Sequence, residues 1–146
     1  MKKINFLLSM LLLLCTVSKS DSYGNHFSPN QKPIMKYSIL VLYNATNNWL
    51  LLSREERGEI YQNEIMPVIS KFEGKLNVRI FDSEAFHAKT SDFMIIECND
   101  LKDHYYFMEY LRDTSIFGKP YIELIDIVIG VENGFEHFEA EEYNKE

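Results

Sequence analysis

Hydrophobic and polar positions repeat along the chain with two different periods. Alternation with a period of two, or a short apolar run bounded by polar residues, predicts strands over residues 35–43, 76–81, 93–98 and 121–131. Recurrence with a period of about 3.6 predicts helices over residues 54–72 and 101–112. The order β-α-β-β-α-β, with right-handed crossovers, predicts an α+β fold of the ferredoxin-like type, a four-stranded antiparallel sheet with both helices on one face.

The first predicted helix has a clear start and an interruption. Ser53 and Glu56 have the spacing of a capping box, in which each side chain bonds the backbone N–H of the other residue. Pro67 lies inside the apolar pattern and removes one backbone hydrogen bond, so we expect the helix to bend or split near Asn63 or Glu64. Gly74 is typical of a helix end.

The second predicted helix begins at Asp100, a good N-cap residue. Its apolar spacing predicts a buried stripe formed by Leu101, Tyr105, Met108 and Leu111. We expect a turn over residues 116–120, a short turn or helix over residues 132–138, and fraying of the acidic tail, residues 139–146.

The predicted sheet is apolar on both faces. Two helices can cover only one face, which leaves parts of the first strand exposed together with Phe81, Phe93, Ile95 and Ile125 or their neighbours. A patch of this kind is unusual on a monomer. We therefore expect a homodimer that packs face to face through the open sheet faces, as in dimeric α/β barrels.

The first twenty residues have the pattern of a signal peptide. Lys2 and Lys3 are followed by a twelve-residue, mostly apolar run, and small residues precede a cut after Ser20. That run is too short for a stable membrane anchor, so we expect export to the periplasm or the medium. A lipoprotein modified at Cys15 is the alternative, although Leu14 stands where a small side chain is needed. Residues 21–33 are polar and predict a disordered spacer before a domain over residues 34–138.

Charge narrows the choice of partners. The net charge is −7, and removal of residues 1–20 leaves 12 basic and 22 acidic residues, or −10. An acidic chain repels phosphate backbones, which argues against nucleic acid, and it suits anionic membranes poorly. One cysteine, Cys98, would remain, in an apolar run typical of a core position.

Several segments together resemble the darcynin family of small bacterial proteins. They are Trp49-Leu50 with residues 52–57, residues 81–86 with Ser91-Asp92, Glu97 with Asp100-Leu101, residues 111–114, and residues 132–135. They extend over about residues 36–138. The resemblance implies a dimeric α/β barrel type of fold and implies no substrate or mechanism. The leader departs from the usual form of the family.

Arg54 and Arg57 open the first helix, where positive charge opposes the helix dipole. One reading is that Arg57 faces inward and binds a carboxylate or phosphate. The other is a surface ion pair, or a structural clamp from Arg57 to Asp82 or Glu84. Asp82, Glu84, His87 and Asp92 share the connection between the second and third strands, where a histidine near three carboxylates could transfer protons or form part of a metal site. No histidine pair has metal-ligand spacing there, so we predict a solvated loop and no metal.

Glu97 is a carboxylate inside an apolar strand, with Arg79 as a candidate cross-strand partner. It is either a general base in a cavity between sheet and helices or a residue of the dimer face. The weak catalytic candidates are Glu97 and His104. The ligand-pocket candidates are Trp49, Arg57, Arg79, Glu97 and Tyr105.

The sequence leaves three alternative functions open. The first is a homodimeric domain that binds a small molecule or a protein; the second is a cofactor-independent enzyme of monooxygenase or isomerase type; the third is a structural interaction module of the cell envelope. No motif for a bound cofactor is present. A cavity lined by Trp49, Arg57 and Glu97 would favour the first two functions.

Overall fold

The structure is a computed structural model that describes residues 34–143. The predicted signal peptide, residues 1–20, and the spacer, residues 21–33, lie outside the described residues, and so does the end of the tail, residues 144–146. The signal peptide, the spacer and the end of the tail therefore remain predictions.

Four antiparallel strands form the sheet. They are β1 (Tyr37–Ala45), β2 (Leu76–Asp82), β3 (Asp92–Cys98) and β4 (Ile122–Val131), in the spatial order β2-β3-β1-β4. This order confirms the ferredoxin-like arrangement, with β1 in an inner position between β3 and β4. It brings the first and last strands of the domain side by side.

The helices in residues 34–143 are of unequal length. They are α1 (Asn47–Leu50), α2 (Arg54–Ile60), a π-helical segment (Tyr61–Ile65), α3 (Met66–Lys71), α4 (Leu101–Arg112), α5 (Ser115–Gly118) and α6 (Gly134–Glu142). The predicted turn over residues 116–120 contains part of α5. The segment from Glu139 to Glu142 is helical, so the expected fraying from Glu139 is wrong as far as Glu142. Asn133, with φ of 51° before the helix, marks the reversal after β4.

The capping box at the start of α2 is confirmed. The Glu56 N–H donates to Ser53 Oγ at 3.1 Å, and the Ser53 N–H donates to Glu56 Oε2 at 2.7 Å. The bond from the Ser53 N–H, and after it a hydrogen bond from the Ser53 side chain, lower the pKa of the Glu56 carboxyl. The distortion expected near Asn63 or Glu64 is the π-helical segment, in which the Met66 N–H donates to the carbonyl of Tyr61, five residues back. Pro67 follows, so the irregular turn occurs where a backbone donor is missing.

The core lies between one sheet face and the helices. Ile39 and Val41 of β1 and Ile96 of β3 are completely buried there. They belong to one cluster with Phe107 of α4 and Phe72 at the end of α3, whose rings meet edge to face with centroids 5.7 Å apart. Cys98 is a buried core residue, as predicted, and burial raises the pKa of its thiol.

The predicted stripe on α4 is partly wrong. Met108 and Leu111 are buried, but the other two core positions are His104 and Phe107. Leu101 and Tyr105 are exposed, Tyr105 by 58%. Aromatic residues occur on more than one face of α4, so hydrophobicity alone does not identify the face that packs on the sheet.

Candidate functional site

The sheet face away from the helices carries a continuous set of apolar positions, which we call the open sheet face. Register places Leu40 opposite Ile95 and opposite Val128, and Leu42 opposite Phe93. Phe93 is also opposite Phe81 on β2, and their rings stack with centroids 4.8 Å apart. The open sheet face is therefore defined by Leu40, Leu42, Phe81, Phe93, Ile95 and Val128.

A polar group lies at one end of the open sheet face. Glu97 is opposite Ser38 on β1 and Asn77 on β2. Its Oε2 accepts from Asn77 Nδ2 at 2.8 Å, and its Oε1 accepts from Arg79 at 3.3 Å. The expected Arg79 partner is confirmed. Placement of Glu97 in a cavity between sheet and helices is wrong, since alternation along β3 puts it on the same face as Ile95.

The edge strand β4 is exposed on both of its faces from Ile125 onward, whereas Ile122 and Leu124 are partly buried against the core. Ile127 and Ile129 are opposite the buried Val41 and Ile39, on the helix side of the sheet, yet Ile129 is 48% exposed. On the other side Val128 is 50% exposed. Since the helices leave this strand uncovered, the apolar surface extends beyond the open sheet face.

Ile125, expected on the uncovered face, lies at an irregular point of β4. It falls at a register shift between the pairs Leu42–Asp126 and Tyr43–Leu124, and it is exposed. The shift gives β4 one more residue than β1 at this point, as in a β-bulge.

Trp49 lies on the helix side of the sheet. It is half-buried against the core, with its ring centroid 5.6 Å from that of Tyr121. The loop around it is fixed by Thr46, whose hydroxyl donates to the carbonyl of Pro120 at 2.7 Å. Trp49 therefore packs where β1 ends and β4 begins.

Arg57 carries an unpartnered polar atom. Its Nε–H is enclosed and donates to no acceptor, and within residues 34–143 the side chain forms no ion pair. The expected clamp from Arg57 to Asp82 or Glu84 is therefore wrong. Asp82 instead accepts the N–H of Glu84 at 3.3 Å, as a turn residue does.

The second enclosed polar atom without a partner in the described part of the chain is Nδ1 of His104, on the core side of α4. Burial lowers the pKa of this histidine, so the neutral imidazole is favoured. His104 and Glu97 lie on opposite sides of the sheet and do not form one catalytic pair.

A group that the sequence did not reveal lies where β1 ends and β3 begins. Tyr43 is opposite Asp92, and burial, the charge of Asp92 and the nearby Tyr61 all raise the pKa of the Tyr43 hydroxyl. Asp92 Oδ2 accepts from Ser91 Oγ at 2.5 Å, and the Ser91 N–H donates to Asn44 Oδ1 at 2.8 Å. Only the strand register could have paired Tyr43 with Asp92 in advance.

Most of the connection between β2 and β3 is exposed. His87 and Glu84 are exposed, and in the part of the chain that the structure describes no three histidine, cysteine or acidic side chains are grouped to hold a metal ion. No helix in that same part is long and apolar enough to cross a bilayer.

The five pocket candidates do not form one site. Arg79 and Glu97 lie on the open sheet face, Trp49 lies on the helix side, and Tyr105 is exposed on α4. Arg57 precedes the π-helical segment by one turn and is the candidate with an unsatisfied donor.

Comparison with known proteins gives a family and a fold. The family model described as Darcynin, domain of unknown function, matches residues 26–145. Darcynin 1 of Acinetobacter baumannii is 32% identical over 91 residues, 62% of this chain and 100% of that protein.

Two solved structures share the fold at low identity. Chlorite dismutase from Candidatus Nitrospira defluvii in complex with imidazole matches with a TM-score of 0.60 and 15% identity. A heme-binding protein from Thermus thermophilus matches with a TM-score of 0.60 and 16% identity. In both comparisons the match covers 67% of this chain and only 40% of the other, so the likeness concerns the fold alone.

Proposed function

The chain belongs to the darcynin family, and we propose that it is a binding domain that acts as a homodimer, with the open sheet faces of two copies packed together. The ligand of this dimer is a small molecule or a protein segment. The observation that carries the proposal is the apolar character of the open sheet face, which the chain's own helices leave uncovered.

The chemistry of the open sheet face suits a second copy. Its centre, Leu40 and Ile95, is apolar, and the charged pair Arg79–Glu97 lies to one side. Stable interfaces between protein chains have this arrangement of an apolar centre and a polar rim. A self-complementary patch related by a two-fold axis is also the commonest way for identical chains to associate.

The edge strand supports the same assembly. Exposed apolar edge strands attract other chains, and natural proteins cover or blunt them. β4 has ten residues and no lysine or proline among them, and its charged residues are Glu123 and Asp126 in the first half of the strand. A second copy on the open sheet face would cover Val128 and the nearby part of β4.

The dimer can be tested by substitution at the centre of the open sheet face. Ile95→Glu should shift the protein from the mass of two chains to the mass of one in size-exclusion chromatography with light scattering. Leu51→Glu is the matched control, because Leu51 is exposed in the loop before α2, and this variant should remain dimeric. A wild-type protein with the mass of one chain, or equal behaviour of the two variants, would refute the proposed interface.

Two other functions receive less support. A cofactor-independent enzyme would use Glu97, His104 or a tyrosine for proton transfer. Glu97 and His104 lie on opposite sides of the sheet and cannot act together. A purely structural module would be the remaining interpretation if the dimer forms and no ligand binds.

We also propose export, on the pattern of residues 1–20. Cleavage after Ser20 would release a domain that begins at Asp21, with Cys98 as its one thiol. Expression of the full chain in a Gram-negative host, followed by fractionation and intact-mass measurement, tests this. A periplasmic product starting at Asp21 supports the proposal, and an uncleaved cytoplasmic product or a lipid adduct at Cys15 would contradict it.

A further inference from the structure

The outer edge of β4 offers backbone hydrogen-bonding groups to an incoming strand. Within residues 34–143, β4 pairs with β1 alone. The N–H of Glu132, the residue after β4, donates to the carbonyl of Lys36 on the β1 side at 2.8 Å. Backbone groups alternate in direction along an antiparallel strand, so Val131, Ile129 and Ile127 direct their N–H and C=O groups to the outer edge. We call residues 127–131 the free β4 edge.

Asp126 already occupies one donor of the free β4 edge. The Ile127 N–H donates to Asp126 Oδ1 at 2.8 Å, in the place of an acceptor on a neighbouring strand. This bond agrees with the outward direction of Ile127. The groups left for an incoming strand are the carbonyl of Ile127 and both backbone groups of Ile129 and Val131.

The side chains of the free β4 edge suit an extended segment. Ile127, Ile129 and Val131 on the helix side are 38%, 48% and 40% exposed, and Val128 on the opposite side is exposed as well. The side chains of an added strand also alternate between the two faces of the sheet. A strand with apolar side chains at alternate positions would therefore cover the three helix-side residues, while its backbone bonds the edge.

Charge indicates the kind of strand. The charged side chains on β4 and directly after it are Glu123, Asp126 and Glu132, all acidic and exposed. Glu132 has Lys36 at 3.2 Å as an ion-pair partner. A lysine or arginine beside Asp126 would form a cross-strand pair of opposite charge. It would also draw the carboxylate away from the Ile127 N–H and release that donor for the added strand.

A second copy of the chain fits the edge less well. Two antiparallel copies of the edge centred on Val128 would each need the Ile127 N–H, which Asp126 occupies. Centred on Ile129, they would place Asp126 opposite Glu132 twice, and like charges directly opposite are destabilising. The edge therefore favours a strand from a different protein.

We propose that the free β4 edge binds an extended segment of another protein, which adds to the sheet as a fifth strand. The segment is apolar at alternate positions and has a lysine or arginine beside Asp126. This inference rests on the proposed binding function and names its ligand as a protein segment. It does not need the dimer, because the outward backbone groups of β4 are not part of the open sheet face.

Fluorescence anisotropy with a labelled, end-blocked peptide, Lys-Val-Thr-Ile-Thr-Val-Lys, tests the site on the whole purified chain. The peptide reads the same in both directions, so either strand orientation brings a lysine to Asp126. It should bind at least about tenfold more tightly than two control peptides. One has glutamate at both ends, and the other has an N-methyl group on the central isoleucine, which removes the bond to Ile129. No binding at about 1 mM protein, or equal binding of the N-methyl peptide, would overturn the proposal.

Substitutions locate the site. Ile129→Pro removes an outward N–H that β1 does not use, so the variant should fold and bind the lysine peptide at least about tenfold more weakly. Asp126→Asn should weaken binding at least about threefold. Glu109→Gln, at an exposed position of α4, removes the same charge elsewhere and should bind as the wild type does. Equal losses in Asp126→Asn and Glu109→Gln, or full binding by folded Ile129→Pro, would contradict the site.

The mass of the same samples separates this site from the dimer. A chain that is monomeric and binds the lysine peptide would refute the dimer and leave the free β4 edge as a binding site. A dimer that does not bind the peptide would refute the site alone. If Ile129→Pro has a lower mass than the wild type, a second copy occupies the edge, and the proposal of a different protein is wrong.

Discussion

Arg79 donates to Oε1 of Glu97 across 3.3 Å on the open sheet face, and Asn77 holds the other carboxylate oxygen at 2.8 Å. The pair lies on the side of the sheet opposite His104 and Arg57. The structure therefore separates the carboxylate that looked most like a general base from the residues that could have worked with it.

Substitution of Glu97 by glutamine should change the free energy of unfolding little. The Arg79–Glu97 pair is partly exposed, and such pairs contribute about 0–1 kcal/mol. Urea unfolding measures this change. A loss of more than about 2 kcal/mol would contradict the prediction and would show that the pair supports the fold as a buried ion pair does.

Loss of the cap at the start of α2 should be measurable. Ser53→Ala removes the acceptor of the Glu56 N–H and should reduce the free energy of unfolding by about 1 kcal/mol. Ser70→Ala, at an exposed position inside α3, should be close to neutral. Equal losses in the two variants would show that the capping box does not stabilise the domain.

Glu56 should also give the cap a pH dependence. Its pKa is lower in the folded than in the unfolded chain, so its contribution is present above the ordinary glutamate range, about pH 4, and is lost as pH falls through the folded pKa. The stability difference between wild type and Glu56→Gln should therefore shrink on acidification, as followed by thermal unfolding. A stability difference that grows at low pH would contradict the lowered pKa of the Glu56 carboxyl.

His104 should make the fold less stable in mild acid. Burial lowers its pKa, so the unfolded chain binds the proton first, and stability falls as pH drops below about 6.5, the unfolded value. His104→Leu should lose this dependence between pH 8 and pH 5, whereas His87→Gln, exposed in the loop after β2, should retain it. Urea midpoints at both pH values provide the comparison. If the stability of His104→Leu depended on pH as that of the wild type does, His104 would not be the cause of the dependence.

The strands were predictable because successive residues along each strand alternate between the two faces of the sheet. Tyr37, Ile39, Val41 and Tyr43 share a face in the sequence pattern and in the sheet, and the ferredoxin-like order follows from the order of elements. The sheet face on which Glu97 lies could also have been predicted from the sequence. Glu97 is two residues from Ile95, which belongs to the open sheet face.

Less of the candidate site could be predicted from the sequence. The face of α4 could not be chosen among Tyr105, Tyr106 and Phe107, because all three are aromatic. The meeting of Tyr43 with Asp92 and Tyr61 depends on strand register and on the π-helical turn. The missing partner of Arg57 depends on the positions of every neighbouring acceptor, which no spacing rule encodes.

Sedimentation equilibrium of the wild-type protein at tens of micromolar tests the central claim most directly. The account predicts a mass twice that of one chain, because the open sheet face, centred on Leu40 and Ile95, needs a second copy to exclude water from it. A mass equal to one chain across that concentration range would contradict it.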